Sequence, residues 1–370
     1  MQISILVALL APVLGYKDHR AGARHASGRS DDAVCNAFQL TDKMGSVIPL
    51  NPRAVPARVI DTFAFGDARE CEELLLHMME MGNAVDEIHI VEGDRDFTGA
   101  RKDFLFDKVW SDSNFDPWRE KTTYHKVSIP PGLMAYDLQN FQRNSMHEDM
   151  NMPEGYNPKD ILLEGDLDEI VSSHALKALR HCEPGSGAWN TDIQMDLYYY
   201  SMAWTKGKWK ISTAAVFVQE LSSRSFLEAN EKDSLMSSQV SAHGQIWSRP
   251  NVLGLKDGNP SGWHVGWTLD GAAGLAHKIF IHVEGRPTWA QGYTDEASLA
   301  KFLETSFLPD PHRYDLEIWP SSLTEEDVPR ALLEHPEKFP NIMRGVNIHK
   351  PSSSFLSTQG SVRVRRTTHT

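Results

Sequence analysis

The stretch ILLEGDLDEI, Ile161 to Ile170, runs an aliphatic segment directly into Glu164, Asp166, Asp168 and Glu169. The segment has the texture of a buried strand, and burial alone gives such a strand no reason to end in acids. Open α/β sheets bind ligands just outside the carboxyl ends of their strands. Asp166 and Asp168 fall there if residues 161–166 form a central strand. Two carboxylates two residues apart on a turn can converge on one hard divalent cation, and oxygen-only ligation suits Mg2+ or Mn2+ better than Zn2+. The expected chemistry is the handling of a diphosphate, with the cation neutralising a departing anion. A solvated acidic loop capping the next helix is the plainer reading of an isolated D-x-D. The apolar approach and the four acids weigh against it.

Working outward, ARVIDTFAFGD (from Ala57) reads as a strand that breaks at Gly66. DARECEELLLHMMEMG then reads as a helix, with Asp67 and Glu70 spaced as a capping box and Gly82 as the stop. VDEIHIVEG is a second strand ending in Glu92, and TYHKVSIP a third. YDLQNFQRNSMHEDM reads as a helix before the opening stretch, and SSHALKALRHC as one after it. This alternation predicts an α/β fold, a mixed sheet flanked by helices. From Trp189 the segment IQMDLYYYSMAWTKGKWKISTAAVFV is aromatic and alternating. It predicts an antiparallel second half with TKGK as a hairpin turn.

The ends and the bulk composition set the frame. ISILVALLAPVLG, Ile3 to Gly15, has the length of a signal-peptide apolar region, so residues 1–15 are expected to be a signal peptide or short signal anchor. Residues 16–53 lack periodicity and read as a flexible stem, 54–345 as the catalytic domain, and 346–370 as a disordered tail. Hydrophobic residues make up 41% of the 370, enough for a full core. A net charge of −13 with no basic patch in the body argues against nucleic acid as a partner. The three cysteines, Cys35, Cys71 and Cys182, allow at most one disulfide.

Several blocks together resemble glycosyltransferase family 17, the β-1,4-mannosyl-glycoprotein 4-β-N-acetylglucosaminyltransferases. IDTFAFGDARECEELLLHMMEM is similar to the family's opening strand and helix, and VDEIHIVEGDRDFTG to its strand ending in V-E with an F-T-G turn. NFQRN resembles its N-[YF]-Q-R-N helix, and ILLEGDLDEI its aliphatic strand with D-x-D-E-I. MDLYYYSMAW, SGWHVGW and KIFIHVEG resemble later blocks, in collinear order from Ile60 to Phe339. The resemblance implies a GT-A-like nucleotide-sugar-binding fold, a UDP-GlcNAc donor and Mn2+ (or Mg2+). It also implies inverting β-1,4 transfer of GlcNAc onto a mannose of an N-glycan on a glycoprotein, in the Golgi lumen or membrane-associated in the secretory pathway.

On this reading Asp168 ligates the metal, with Asp166 on the metal or the donor ribose and Glu169 orienting the pair or capping the helix. Asp61 and Glu92, taken as strand-end acids, are donor-binding candidates, and Arg143 offers its guanidinium fork to the diphosphate. His264 completes the metal shell or touches the β-phosphate. Tyr198, Tyr200, Trp263 and Glu284 are weaker acceptor candidates, with His282 and Glu284 read on one strand face; Arg95 and Lys102 are further phosphate candidates. The same Asp pair would also serve a metal-dependent phosphohydrolase, although few histidines lie near it. A glycan-binding relative without turnover is the third reading.

Overall fold

The computed structural model describes residues 31–349, apart from 219–250 and the shorter stretches 43, 134, 153–154, 186, 188, 210–212, 269–270, 282–287, 310, 312–318, 322, 325–326 and 347. The chain opens with α1 (Asp31–Ala37), β1 (Phe38–Asp42), β2 (Val47–Ile48) and β3 (Leu50–Pro52). An alternating section follows: β4 (Val59–Ala64), α2 (Cys71–Glu80), β5 (Glu87–Gly93), α3 (Phe106–Trp110), β6 (Thr122–Val127) and α4 (Ala135–Asp149). Next come β7 (Ile161–Asp166), β8 (Glu169–Val171), α5 (Ser173–His181), β9 (Cys182–Pro184), β10 (Asn190–Ile193), β11 (Met195–Tyr199) and β12 (Trp204–Trp209). The remainder includes β13 (Ala214–Phe217), β14 (Asn251–Leu255), β15 (Gly262–Gly266), α6 (Gly271–Ile281), α7 (Glu296–Phe302) and β16 (Trp319–Pro320).

The mixed α/β architecture expected from the sequence is present. Nine strands form one sheet in the order β2-β1-β14-β10-β13-β7-β4-β5-β6, in which β7, β4, β5 and β6 run parallel. The chain leaves β4 toward β5 and β6, then returns to pair β7 with the other side of β4. That reversal of direction opens a crevice at the strands' carboxyl ends. Alternation along the central strands explains their continuous apolar texture. Ile60, Val91 and Leu162 face α4 with Leu138 and Met146, while Phe63, Ile90, Ile161 and Leu163 join the core on the other face with Leu74 and Leu179. Asp67 and Glu70 form the expected capping box ahead of α2.

A second sheet, β16-β12-β11-β15-β8, is joined to the first by the opening stretch itself. β7 ends at Asp166, the chain turns over Leu167 and Asp168, and β8 starts at Glu169 in the other sheet. The acids therefore occupy the hinge between two sheets, and Ser172, not Glu169, caps α5.

Several sequence readings need correction. The stem assignment fails for residues 31–53: β1 pairs with β14, β3 pairs with β9, and Cys35 is bonded to Cys182, 147 residues away. Phe38 and Leu40 are buried there, so sheet pairing and a long-range disulfide order a segment without periodicity of its own. TKGK is not the hairpin turn, because it lies inside β12; β11 and β12 are joined through residues 200–203. The bulge between Leu197 and Tyr198 sits opposite Gly207, whose φ of 87° suits glycine. Lys278 to Ile281, which lead into the His282 and Glu284 positions read on one strand face, are the last turn of α6. The tail reading is overturned at Ile348–His349, which pair in parallel with Leu323–Thr324. The signal segment, stem residues 16–30, tail residues 347 and 350–370, and His282 and Glu284 lie outside the described residues. No helix among the described residues is long and apolar enough to cross a membrane.

Candidate active site

The site is assembled where β7 gives way to β8. The parallel register sets Asp166 beside Ala64 of β4, and antiparallel pairing sets His264 of β15 opposite Glu169 of β8. The Val265 amide donates to the Asp168 carbonyl, which fixes the turn between the sheets. Gly165 is required by this packing. A Cβ there would lie 2.3 Å from Thr213 Oγ1 and 3.1 Å from Glu169 Oε2.

Asp166 and Asp168 each meet a cation. Arg143 is wholly buried on α4 and donates to Asp166 Oδ1, while its other nitrogen lies 3.4 Å from Glu164 Oε1. Gln139 of the same helix donates to Asp166 Oδ1 at 3.1 Å. Asp168 Oδ2 lies 3.4 Å from Lys278 Nζ on α6, and Oδ1 lies 3.6 Å from His264 Nε2. Burial pushes the Asp168 carboxyl upward, but Lys278 and then His264 override it and hold the group well below the usual carboxylate range. Burial alone would lower His264; Asp168 reverses that and raises it to about 9, so the imidazole is protonated. Glu169 is raised to about 7 by burial and then by Asp166. It accepts from the Asp166 amide and the Thr213 hydroxyl, and so orients the pair from beneath.

Beside this cluster lies a small, partly open cleft at the carboxyl ends of β4 and β5. Its walls include Phe65, Gly66, Arg95, Gln142, His277 and Lys278. Arg95 is held by the carbonyls of Ile129 (3.1 Å) and Gly99 (2.7 Å), which fixes the guanidinium while leaving its charge to be met by a ligand. Lys278 belongs to both the cleft and the Asp168 pair.

The structure brings Asp166, Asp168, Arg143 and His264 together, sets Arg95 and Lys102 in the wall of the adjoining cleft, and separates Asp61, Glu92, Tyr198, Tyr200 and Trp263 from them. Asp61 does not end its strand. It lies in the middle of β4, buried, with His77 Nε2 2.8 Å from its carboxylate. Glu92 is fully buried and saturated: it accepts from Lys102, the amides of Leu105 (2.8 Å) and Phe106 (3.0 Å), and the Tyr124 hydroxyl (2.6 Å). It anchors the loop ahead of α3 rather than facing a ligand, and it takes Lys102 with it. Tyr198 and Trp263 are buried in the main core, where the Trp263 indole donates to the Asp327 carbonyl. Tyr200 is buried in a separate aromatic cluster, with its backbone at a φ of 66°. All three fill core, where the sequence suggested sugar contacts.

Sequence reasoning missed Lys278, Gln139 and the role of Glu164; of the two roles it offered Glu169, the contacts favour orienting the pair over capping the helix. The signal for Gln139 was its place one turn before Arg143 on α4, since residues four apart share a helix face.

The model of glycosyltransferase family 17 matches residues 40–239, more than half of the chain, and the chain belongs to that family. It is a glycosyltransferase. Among solved structures, one that it resembles is a crystal structure of an active-site mutant of LgtC, at 10% identity and a TM-score of 0.24 over 50% of this chain and 71% of that one. No curated protein matches the chain.

Proposed function

We propose that this chain transfers GlcNAc from UDP-GlcNAc, with inversion, in β-1,4 linkage to a mannose of an N-glycan core, using Mn2+ or Mg2+. The observation that carries the reading is the convergence of Asp166 and Asp168 with three basic side chains beside a cleft at the sheet's carboxyl edge. The acceptor hydroxyl forms a bond to the anomeric carbon as the bond to the UDP oxygen breaks, and the hydroxyl proton leaves to a base. Arg95 and Lys278 line the cleft and supply positive charge for the departing diphosphate.

The donor set fits a hard divalent cation. Asp166 Oδ1 takes both Arg143 and Gln139, and its carboxylate is 46% exposed, so Oδ2 remains for a ligand. The contacts of Asp168 are long enough to yield. No group of three or more His, Cys, Asp or Glu is arranged as a metal cage among the described residues. Two carboxylates would therefore leave positions for water and phosphate oxygens, as Mg2+ and Mn2+ sites commonly do. His264 serves as a cationic partner of Asp168, and ligation would first require loss of its proton. When bound, the cation would neutralise charge on the leaving diphosphate. The Cys35–Cys182 disulfide supports placement in an oxidising secretory compartment.

The test is incubation of the purified protein with UDP-GlcNAc, Mn2+ and a panel of N-glycans, reading UDP release and the mass of the acceptor. Addition of one N-acetylhexosamine is the expected result, and its position follows from linkage analysis. Absence of both transfer and UDP release with every acceptor would sink the proposal.

A further inference from the structure

We infer that Lys278 is a built-in counter-cation of Asp168, standing in for the divalent ion until metal and donor diphosphate displace it together. The inference rests on the metal reading of Asp166 and Asp168 given above. Its own basis is the position of one side chain. Lys278 Nζ lies 3.4 Å from Asp168 Oδ2, with the side chain 20% exposed, and it forms part of the cleft wall. α6 delivers it and α4 delivers Arg143, so the two aspartates are met from different elements.

The other basic groups of the cleft are held away from the D-x-D. Arg95 is oriented by two carbonyls with its charge left for the diphosphate, Lys102 is spent on Glu92, and His277 lies between Asp67 (3.3 Å) and Glu296 (3.1 Å). Lys278 is the cleft cation that is paired with the D-x-D.

An ammonium and a divalent ion cannot share one carboxylate without strong repulsion, so each weakens the binding of the other. The flexible four-carbon stem lets the lysine swing away from Asp168 while remaining at the cleft wall. The arriving diphosphate offers it a new anionic partner. Charge is then conserved in the exchange: the divalent ion takes the carboxylate, and the ammonium takes the phosphate. Metal alone would bind weakly because it evicts the lysine toward Glu70 and Glu73, acids that burial pushes toward their neutral form, without providing a phosphate. Metal and donor would therefore bind cooperatively, a coupling between two ligands of one site.

Binding of Mn2+ to the full chain tests this directly, through the electron paramagnetic resonance signal of free aqueous Mn2+, with and without UDP. Circular dichroism and a thermal melt establish that each variant is folded. With Mn2+ alone, Lys278→Met is expected to bind about tenfold tighter than wild type, because the competing charge is gone. Lys278→Arg keeps the charge, and its rigid fork grips Asp168 more firmly, so Mn2+ should bind about threefold weaker. A folded Lys278→Met protein that binds Mn2+ no tighter than wild type overturns the inference. So does a Lys278→Arg protein that binds it as well as wild type or better, a result that decides the matter even where the methionine variant does not fold. Unchanged affinity in the variants, with clear binding by wild type in the presence of UDP, removes the lysine's role and leaves the metal reading intact. Failure of wild type to bind Mn2+ even with UDP removes both.

Discussion

Arg143 and Asp166 form an ion pair in which the guanidinium is wholly buried and the carboxylate is 46% exposed. The same guanidinium reaches Glu164, two residues earlier on β7, whose other oxygen lies 3.4 Å from His147 Nε2. Arg143 therefore ties the buried end of the strand to its exposed tip. Its removal would leave Glu164 as a buried acid without its principal cation. Arg143→Met is expected to cost about 3–5 kcal/mol, measured by denaturant unfolding. Arg143→Lys should retain more of the stability but lose the two-pronged geometry, and with it donor affinity. An unchanged unfolding midpoint for the methionine variant would contradict the bridging role.

Gly165 is a position where this strand end tolerates one residue type. The Cβ of an alanine would press on Thr213 Oγ1 and on Glu169, so the cost falls on the residue that orients the aspartates. Gly165→Ala is expected to lose about 1–3 kcal/mol, and Thr213→Ala in the same chain to restore part of it by removing the obstructing atom. Two strictly additive losses would show that the glycine is not held by that contact.

The parts of this architecture that were legible in the sequence are those set by neighbours in the chain. The continuous apolar runs of β4, β5 and β7, the Asp67–Glu70 box and the D-x-D placement rest on spacing alone, and all appear as expected. What stayed hidden depends on partners distant in sequence. Phe38–Asp42 becomes a strand through pairing with β14, just after Cys35 is bonded to Cys182, and neither is visible from the strand's own residues. Glu92 looks like a ligand at a strand end, until the amides of Leu105 and Phe106 and the Tyr124 hydroxyl close over it. KIFI has strand-like residues, but it continues the run AAGLA, and α6 carries it as helix.

Asp168→Asn preserves shape while removing the charge shared by Lys278 and His264. The proposed function predicts a fall in turnover on the order of 100-fold or more, with the protein still folded by circular dichroism. UDP release in the presence of donor and acceptor is the measurement. Near-normal turnover would remove Asp168 from the catalytic machinery.

Glu73 gives a test that depends on pH. It is buried on α2, where the Thr268 hydroxyl donates to Oε1 at 2.5 Å, and Oε2 has no hydrogen-bond partner among the described residues. Burial raises its pKa to about 8, against an ordinary value of 4.5, so the folded protein holds a proton that the unfolded chain releases. Stabilisation from that proton is therefore complete below pH 4.5 and disappears as the pH rises through about 8. Within this window the wild type should lose up to about 1.4 kcal/mol per pH unit from this group. Glu73→Gln carries no titrating proton and should not show this loss. His264, raised to about 9, loses stabilisation in the same direction in both proteins and cancels in the comparison. Urea midpoints taken at about pH 5, 7 and 9 should thus diverge, the variant becoming the more stable protein at the alkaline end. Parallel curves for the two proteins would show that Glu73 is ionised in the fold, with Lys278 as the nearest cation able to hold it so.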